Sequence, residues 1–213
     1  MSRTLYFGYI SPYSRKIRVA LAELGLDYEP VVLRAAEADE TFNEINPCRR
    51  VPALQDGDQT LFESNDIVEY LLATYASAAE GGCDEPRFAR SVCRPEHHWY
   101  DRQTASGIET LLDSGLILLQ LRNDGITPDH SAYLRRERDR IEIILDWLEA
   151  RASSEGFLPG QFSIQDMNLV ISLQWSDYRG MFEWRNRPHL NAIVARYRDR
   201  PSVAETAPEN APV

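Results

Sequence analysis

Cysteine is scarce in this chain of 213 residues: Cys48, Cys83 and Cys93 are the three, and no two share a C-x-x-C spacing. That excludes a disulfide-stapled scaffold and a cysteine-ligated metal site, and it is the usage of a reducing compartment. His97 and His98 are adjacent. On a helix they point about 100° apart and cannot grip one ion together, so no metal is expected. Positive charge is also in short supply, with 23 Lys and Arg against 33 Asp and Glu and a formal net charge of −10. Neither nucleic acid nor an anionic membrane is then the expected main partner. No apolar run has the length of a membrane span, and the opening MSRTLYFGYISPYSRK has no long apolar core behind a basic end. A cytoplasmic protein is the expectation.

What is present is concentrated in Asn46 to Tyr70, NPCRRVPALQDGDQTLFESNDIVEY. Pro52 cannot sit in mid-sheet, so Val51-Pro52 bends the backbone at a strand's edge, a place that suits the cis form. The bend would leave the Val51 N–H and C=O turned outward. Ala53-Leu54, the turn signal Asp56-Gly57-Asp58 and Gln59 to Phe62 read as a hairpin. Ser64 then precedes Ile67, Val68, Leu71 and Leu72 at helical spacing, which makes it the expected N-cap, with Asp66 suited to the dipole. An extended peptide carrying both an α-carboxylate and an α-ammonium can pair its backbone with Val51, its carboxylate with Ser64 and its ammonium with Glu63. A plain cap and a surface charge account for the same two residues, and the sequence leaves both readings open.

Upstream, Thr4 to Ile10 reads as a strand and Ser11-Pro12 as the cap and first position of a helix. Tyr13, Ile17, Ala20, Leu21 and Leu24 form its apolar stripe, which closes at Gly25, while Arg15, Lys16 and Arg18 fall mostly on the other face. A strand over Tyr28 to Leu33 and a short helix over Glu37 to Ile45 complete a βαβα–ββα order, one small α/β domain. Ser11 places a hydroxyl at a helix start, where a thiolate is stabilised. A thiol of pKa about 8.5 is only about 3% ionised at pH 7, and lowering it by about two units takes about 2.7 kcal/mol, the scale of one charge-assisted hydrogen bond plus a helix end. Ser11 equally serves as an ordinary cap. Ser14 lacks the cap geometry.

Beyond Tyr75 the small residues of 76–82 read as a linker, and strand signals stop. Arg87 to Leu121 is helical in period, with Pro95 and Gly115 expected to kink or divide it. Tyr133 to Ala150 forms a second helix. Ser163 to Asp166 is a capping box, read as structural because closing a helix start explains both residues without a substrate. A final helix near His189 to Tyr197 precedes Pro201, and the proline-bearing end reads as a loose tail. The expected division is 1–76, a linker at 77–86, helices at 87–200 and a flexible tail at 201–213.

The run Ser11-Pro12-Tyr13-Ser14-Arg15-Lys16-Ile17-Arg18, followed by Asn46-Pro47, Val51-Pro52-Ala53-Leu54 and Glu63-Ser64, resembles the thioredoxin-like amino-terminal domain of the cytosolic glutathione transferase superfamily, in its serine-type bacterial or plant-like branch. The resemblance implies an α/β thioredoxin-like domain followed by an all-α carboxy-terminal domain, a homodimer, and glutathione as co-substrate. It implies Ser11 against the thiolate, Val51 with Pro52 at the cysteinyl backbone, Glu63 and Ser64 at the γ-glutamyl end, and Arg50 near the glycyl carboxylate. Tyr13, Trp99, Tyr100 and Ile108 are candidates for a pocket taking a small hydrophobic electrophile, although core packing explains any one of them. Reductases of the superfamily carry cysteine where Ser11 stands, and the Ser-Ser-Cys run of its isomerases is absent. The implied activity is detoxifying conjugation. The alternatives are a non-catalytic binding or regulatory module of the same fold, and a glutathione-dependent isomerase or dehalogenase.

Overall fold

The computed structural model describes residues 3–33, 40–75, 88–89 and 97–212. The chain forms two compact units, Met1–Gly82 with Pro201–Val213, and Cys83–Arg200. The expected linker at 77–86, Pro95, Cys83 and Cys93 lie outside the described residues.

The first unit is built on a four-stranded sheet of β1 (Arg3–Phe7), β2 (Glu29–Val32), β3 (Ala53–Asp56) and β4 (Gln59–Phe62), in the order β2-β1-β3-β4. β1 runs parallel to β2 across α1 (Pro12–Glu23) and antiparallel to β3. The β3–β4 hairpin closes through Gly57-Asp58, with Gly57 at φ +59° in the first central position, a geometry that a side chain would resist. α2 (Glu40–Ile45) and α3 (Ser64–Tyr75) complete the thioredoxin-like order. Alternation puts Leu5 and Phe7 of β1 and Leu54 of β3 into the core, and α1 and α3 add Ile17, Leu21, Ile67 and Leu71, all buried. Each such side chain contributes about 1.5–3 kcal/mol.

A polar tie fixes α3 along the sheet. The buried Asp56 carboxylate pairs with Arg3 Nε at 3.3 Å and accepts the hydroxyls of Tyr70, at 3.3 Å, and Tyr75. Burial, with the Asp56 carboxylate adding to it, pushes the Tyr70 phenol up to about 12. The tie anchors the far end of the helix whose first residue is Ser64.

Two expectations fail in this unit. The tail is α8 (Pro201–Glu205) and a following 3-10 turn, packed on α1 with Ser202, Val203, Thr206 and Pro208 buried. Low apolar content misled because the attachment is polar: Arg15 donates from Nε to Thr206 Oγ1 at 3.2 Å and from Nη2 to the Val203 carbonyl at 2.9 Å, and Ser202 donates to Glu23. For the same reason Arg15, expected opposite the apolar stripe, is an interior residue. It is 2% exposed, Lys16 is fully buried, and burial lowers the Arg15 guanidinium to about 10.

The second unit contains α4 (His98–Asn123), α5 (Ala132–Glu149), α6 (Ile164–Arg179) and α7 (Pro188–Tyr197). It is mostly rather than wholly helical, because β5 (Phe88–Ala89) pairs in parallel with β6 (Phe162–Ser163). Gly115 does not divide α4. A Cβ there would lie 3.1 Å from Trp175 Cζ3 and from Phe182 Cε1, so the glycine admits two aromatic rings to the helix surface. Between α4 and α5, Ser114 donates to the buried Glu137 carboxylate at 2.8 Å and Arg140 pairs with it. Among the described residues no helix is long and apolar enough to cross a membrane.

Candidate functional site

Ser11 follows β1 through a turn in which its N–H donates to the Gly8 carbonyl at 3.1 Å. Its φ of −72° and ψ of 120° are those of an N-cap, Pro12 occupies the first helical position, and the Ser11 carbonyl accepts the first helical bond from Arg15 N at 3.0 Å. Ser11 Oγ accepts from Ser14 N at 3.2 Å. Among the described residues nothing accepts the Ser11 hydroxyl proton, and the side chain is half-buried. Ser14, by contrast, is fully buried, and its oxygen accepts from Gly8 N at 3.3 Å. One serine holds the turn and the other keeps a donor in reserve.

Strand register brings the remaining candidates to the same end of the sheet. Tyr6 is opposite Ala53, and Ala53 is opposite Phe62. At this end the ladder stops, with Gly8 following β1, Val51-Pro52 leading into β3 and Glu63-Ser64 following β4. A methyl built at Gly8 would stand 3.7 Å from Ser11 Cβ and 3.8 Å from Val51 Cγ2, so both side chains border one small volume. The Val51-Pro52 bond is cis. β3 begins only at Ala53, and among the described residues neither the N–H nor the C=O of Val51 enters a backbone hydrogen bond.

At the start of α3 the expected cap is displaced by one residue. Ser64 is the first helical residue, and Glu63 holds the cap position, its carbonyl accepting from Ile67 N at 3.0 Å. Glu63 adopts φ +67°, a left-handed conformation that costs a non-glycine residue about 1–3 kcal/mol. That bend turns its exposed carboxylate off the strand direction and puts Ser64 inside the first turn, 6% exposed, among N–H groups with no helical acceptor. The local cause is the strand-to-helix reversal straight after Phe62, which the spacing of apolar residues does not encode.

Arg50 is exposed, and its carbonyl is held by Asn46 Nδ2 at 2.6 Å. The sequence marks Asn46 only as part of the Asn46-Pro47 motif, without a role for its side chain. Tyr13 is half-buried in the first turn of α1, with Lys16 Nζ 5.3 Å from its ring. In the second unit Trp99 and Tyr100 open α4 at 73% and 43% exposure. The Arg151 guanidinium lies 4.1 Å from the Tyr100 ring and 3.8 Å from that of Trp147. Ile108 is completely buried, so it is a core side chain with no surface for a ligand, which removes it from the pocket candidates.

A donor with a spare proton, a residue outside the ladder and a helix start are groups that suit the backbone and carboxylate of an extended anionic peptide. A family model described as the glutathione S-transferase N-terminal domain matches residues 5–80. Glutathione S-transferase 4 of Zea mays is 38% identical over 212 residues, covering 95% of this chain and 91% of the relative. Glutathione S-transferase 3 of the same plant is 30% identical, covering 95% and 91%. Among solved structures, a glutathione transferase family member from Pseudomonas fluorescens Pf-5 with bound glutathione is 29% identical, with a TM-score of 0.77 and 100% of both chains covered.

Proposed function

The chain belongs to the glutathione S-transferase family, and on that premise we propose that its first unit binds glutathione across the sheet end where Ser11, Val51 and Ser64 meet. The cysteinyl backbone pairs with Val51, the γ-glutamyl carboxylate takes the Ser64 hydroxyl and the N–H groups opening α3, and Glu63 meets the ammonium. Arg50 faces the glycyl carboxylate. Ser11 donates its hydroxyl proton to the sulfur as a hydrogen bond and holds it as thiolate at the positive end of α1. The thiolate attacks a small hydrophobic electrophile, forming a C–S bond as the leaving group departs with the electron pair. Within the first unit, Tyr13 supplies apolar surface for that electrophile. The protein acts in the cytoplasm as a homodimer.

The observation that carries this reading is the half-buried Ser11 hydroxyl, which has no acceptor for its proton among the described residues and borders the same volume as Val51. Incubation with glutathione and an activated aryl halide, followed by mass spectrometry, tests it. The thioether conjugate should form in proportion to protein and saturate in glutathione. Glutathione that binds while no conjugate or halide is released would favour the binding module, and halide release with glutathione disulfide as product would favour the dehalogenase.

A further inference from the structure

Asn46 follows α2 and is 1% exposed, and each of its four polar atoms is engaged. Its N–H donates to the Phe42 carbonyl at 2.8 Å, and its carbonyl accepts from Arg49 N at 3.0 Å. Oδ1 accepts from Cys48 N at 2.9 Å, and Nδ2 donates to the Arg50 carbonyl at 2.6 Å. Turning the amide over would set an N–H group against the Cys48 N–H and an oxygen against the Arg50 carbonyl, so the network fixes its orientation. One buried side chain and its own carbonyl thus hold three successive residues, with Pro47 as the rigid corner and Arg49 at φ +55°. The residue that leaves this loop is Val51.

We infer that Asn46 is a positioning residue of the glutathione site: it sets where Arg50 and Val51 present themselves, and so governs affinity for the tripeptide without touching the sulfur. The inference rests on the glutathione reading above. It separates from a merely structural role because a loop that only stabilises the fold changes unfolding, whereas one that aims Arg50 and Val51 changes the glutathione KM at fixed kcat. Ser11 lies on a different element, held by its own bonds to Gly8 and Ser14. Its effect on the thiol should therefore survive loss of the asparagine.

The test is steady-state kinetics of the native protein, Asn46→Ala and Asn46→Asp, with amide hydrogen exchange at Cys48. In the alanine variant the glutathione KM should rise about tenfold, with kcat at saturation and the bound-thiol titration held within about twofold of native. The aspartate variant keeps an acceptor for Cys48 N–H but sets an oxygen against the Arg50 carbonyl. Its Cys48 amide should stay protected while the KM still rises, which answers the question even where the alanine variant folds poorly. A glutathione KM unchanged in both variants, a fall in kcat at constant KM, or failure of both variants to fold overturns the inference. A native protein that never saturates with glutathione sinks the parent reading instead, and failure of the asparagine's role alone leaves native saturation intact.

Discussion

Serine caps three of the described helices, α1, α5 and α6, and the serines of α1 and α6 are in opposite states. Ser163, which caps α6, is fully buried; its oxygen accepts from Asp166 N at 3.0 Å and its hydroxyl donates to the Asp166 carboxylate. That carboxylate also takes Ser163 N at 3.0 Å and Phe157 N at 2.9 Å. The serine hydroxyl, the serine N–H and the carboxylate at that start all have partners. Ser11, which caps α1, accepts one bond, keeps its proton and stands half-exposed beside a Val51 backbone outside the ladder. The same residue in the same capping role is structural where its hydrogen-bonding capacity is used up and available to chemistry where it is not.

The comparison breaks if the closed start proves dispensable. Asp166→Ala strips one buried N–H group, one part-buried N–H group and a hydroxyl of their acceptor and should cost about 3–5 kcal/mol in denaturant unfolding. A loss under about 1 kcal/mol would mean the box is not what closes α6. The pH dependence follows next in size. Burial pushes the Asp166 carboxyl up to about 6, against the pull of its bonds to Ser163 and Phe157. A folded-state value above the unfolded one makes the folded state bind the proton more tightly. The contribution is therefore complete below the unfolded value of about 4 and is lost as pH rises through about 6, on the order of 3 kcal/mol across the window. Measured against Asp166→Asn, the native protein should gain relative stability from pH 7 to pH 4.

At the open start the effects should divide differently. Ser11→Ala should lower kcat/KM at neutral pH on the order of 30-fold, about 2 kcal/mol, while unfolding loses only about 1 kcal/mol, the worth of a cap. Smallest is Thr206→Val, which removes the hydroxyl that accepts from Arg15 Nε. It should cost about 1 kcal/mol of stability. It should leave the bound-thiol titration where it was, because Thr206 is met by the Arg15 side chain and not by the Ser11 hydroxyl.

Much of this was legible where local chemistry decides structure. The Asp-Gly turn, the Ser11-Pro12 helix start, the Val51-Pro52 bend and the Ser163–Asp166 box each depend on a few neighbouring residues. What could not be read depends on contacts distant in sequence. Arg15 belongs to the interior because Val203 and Thr206, 188 and 191 residues on, return to meet it. Gly115 sits in an unbroken helix because Trp175 and Phe182 come from elsewhere to fill the space above it. The one-residue displacement at Glu63 is a backbone effect, a left-handed residue between strand and helix that side-chain pattern does not signal. The role of the Asn46 side chain was hidden for a related reason: its partners are backbone atoms, whose positions no residue type announces.

The most direct test is the ultraviolet absorbance of the thiolate as glutathione is titrated with base, bound to the native protein and to Ser11→Ala. The bound sulfur should ionise about two units below a free thiol's value of about 8.5 on the native protein, and return toward that value in the variant. Superimposable curves from the two proteins would contradict the account and leave Ser11 as only a cap.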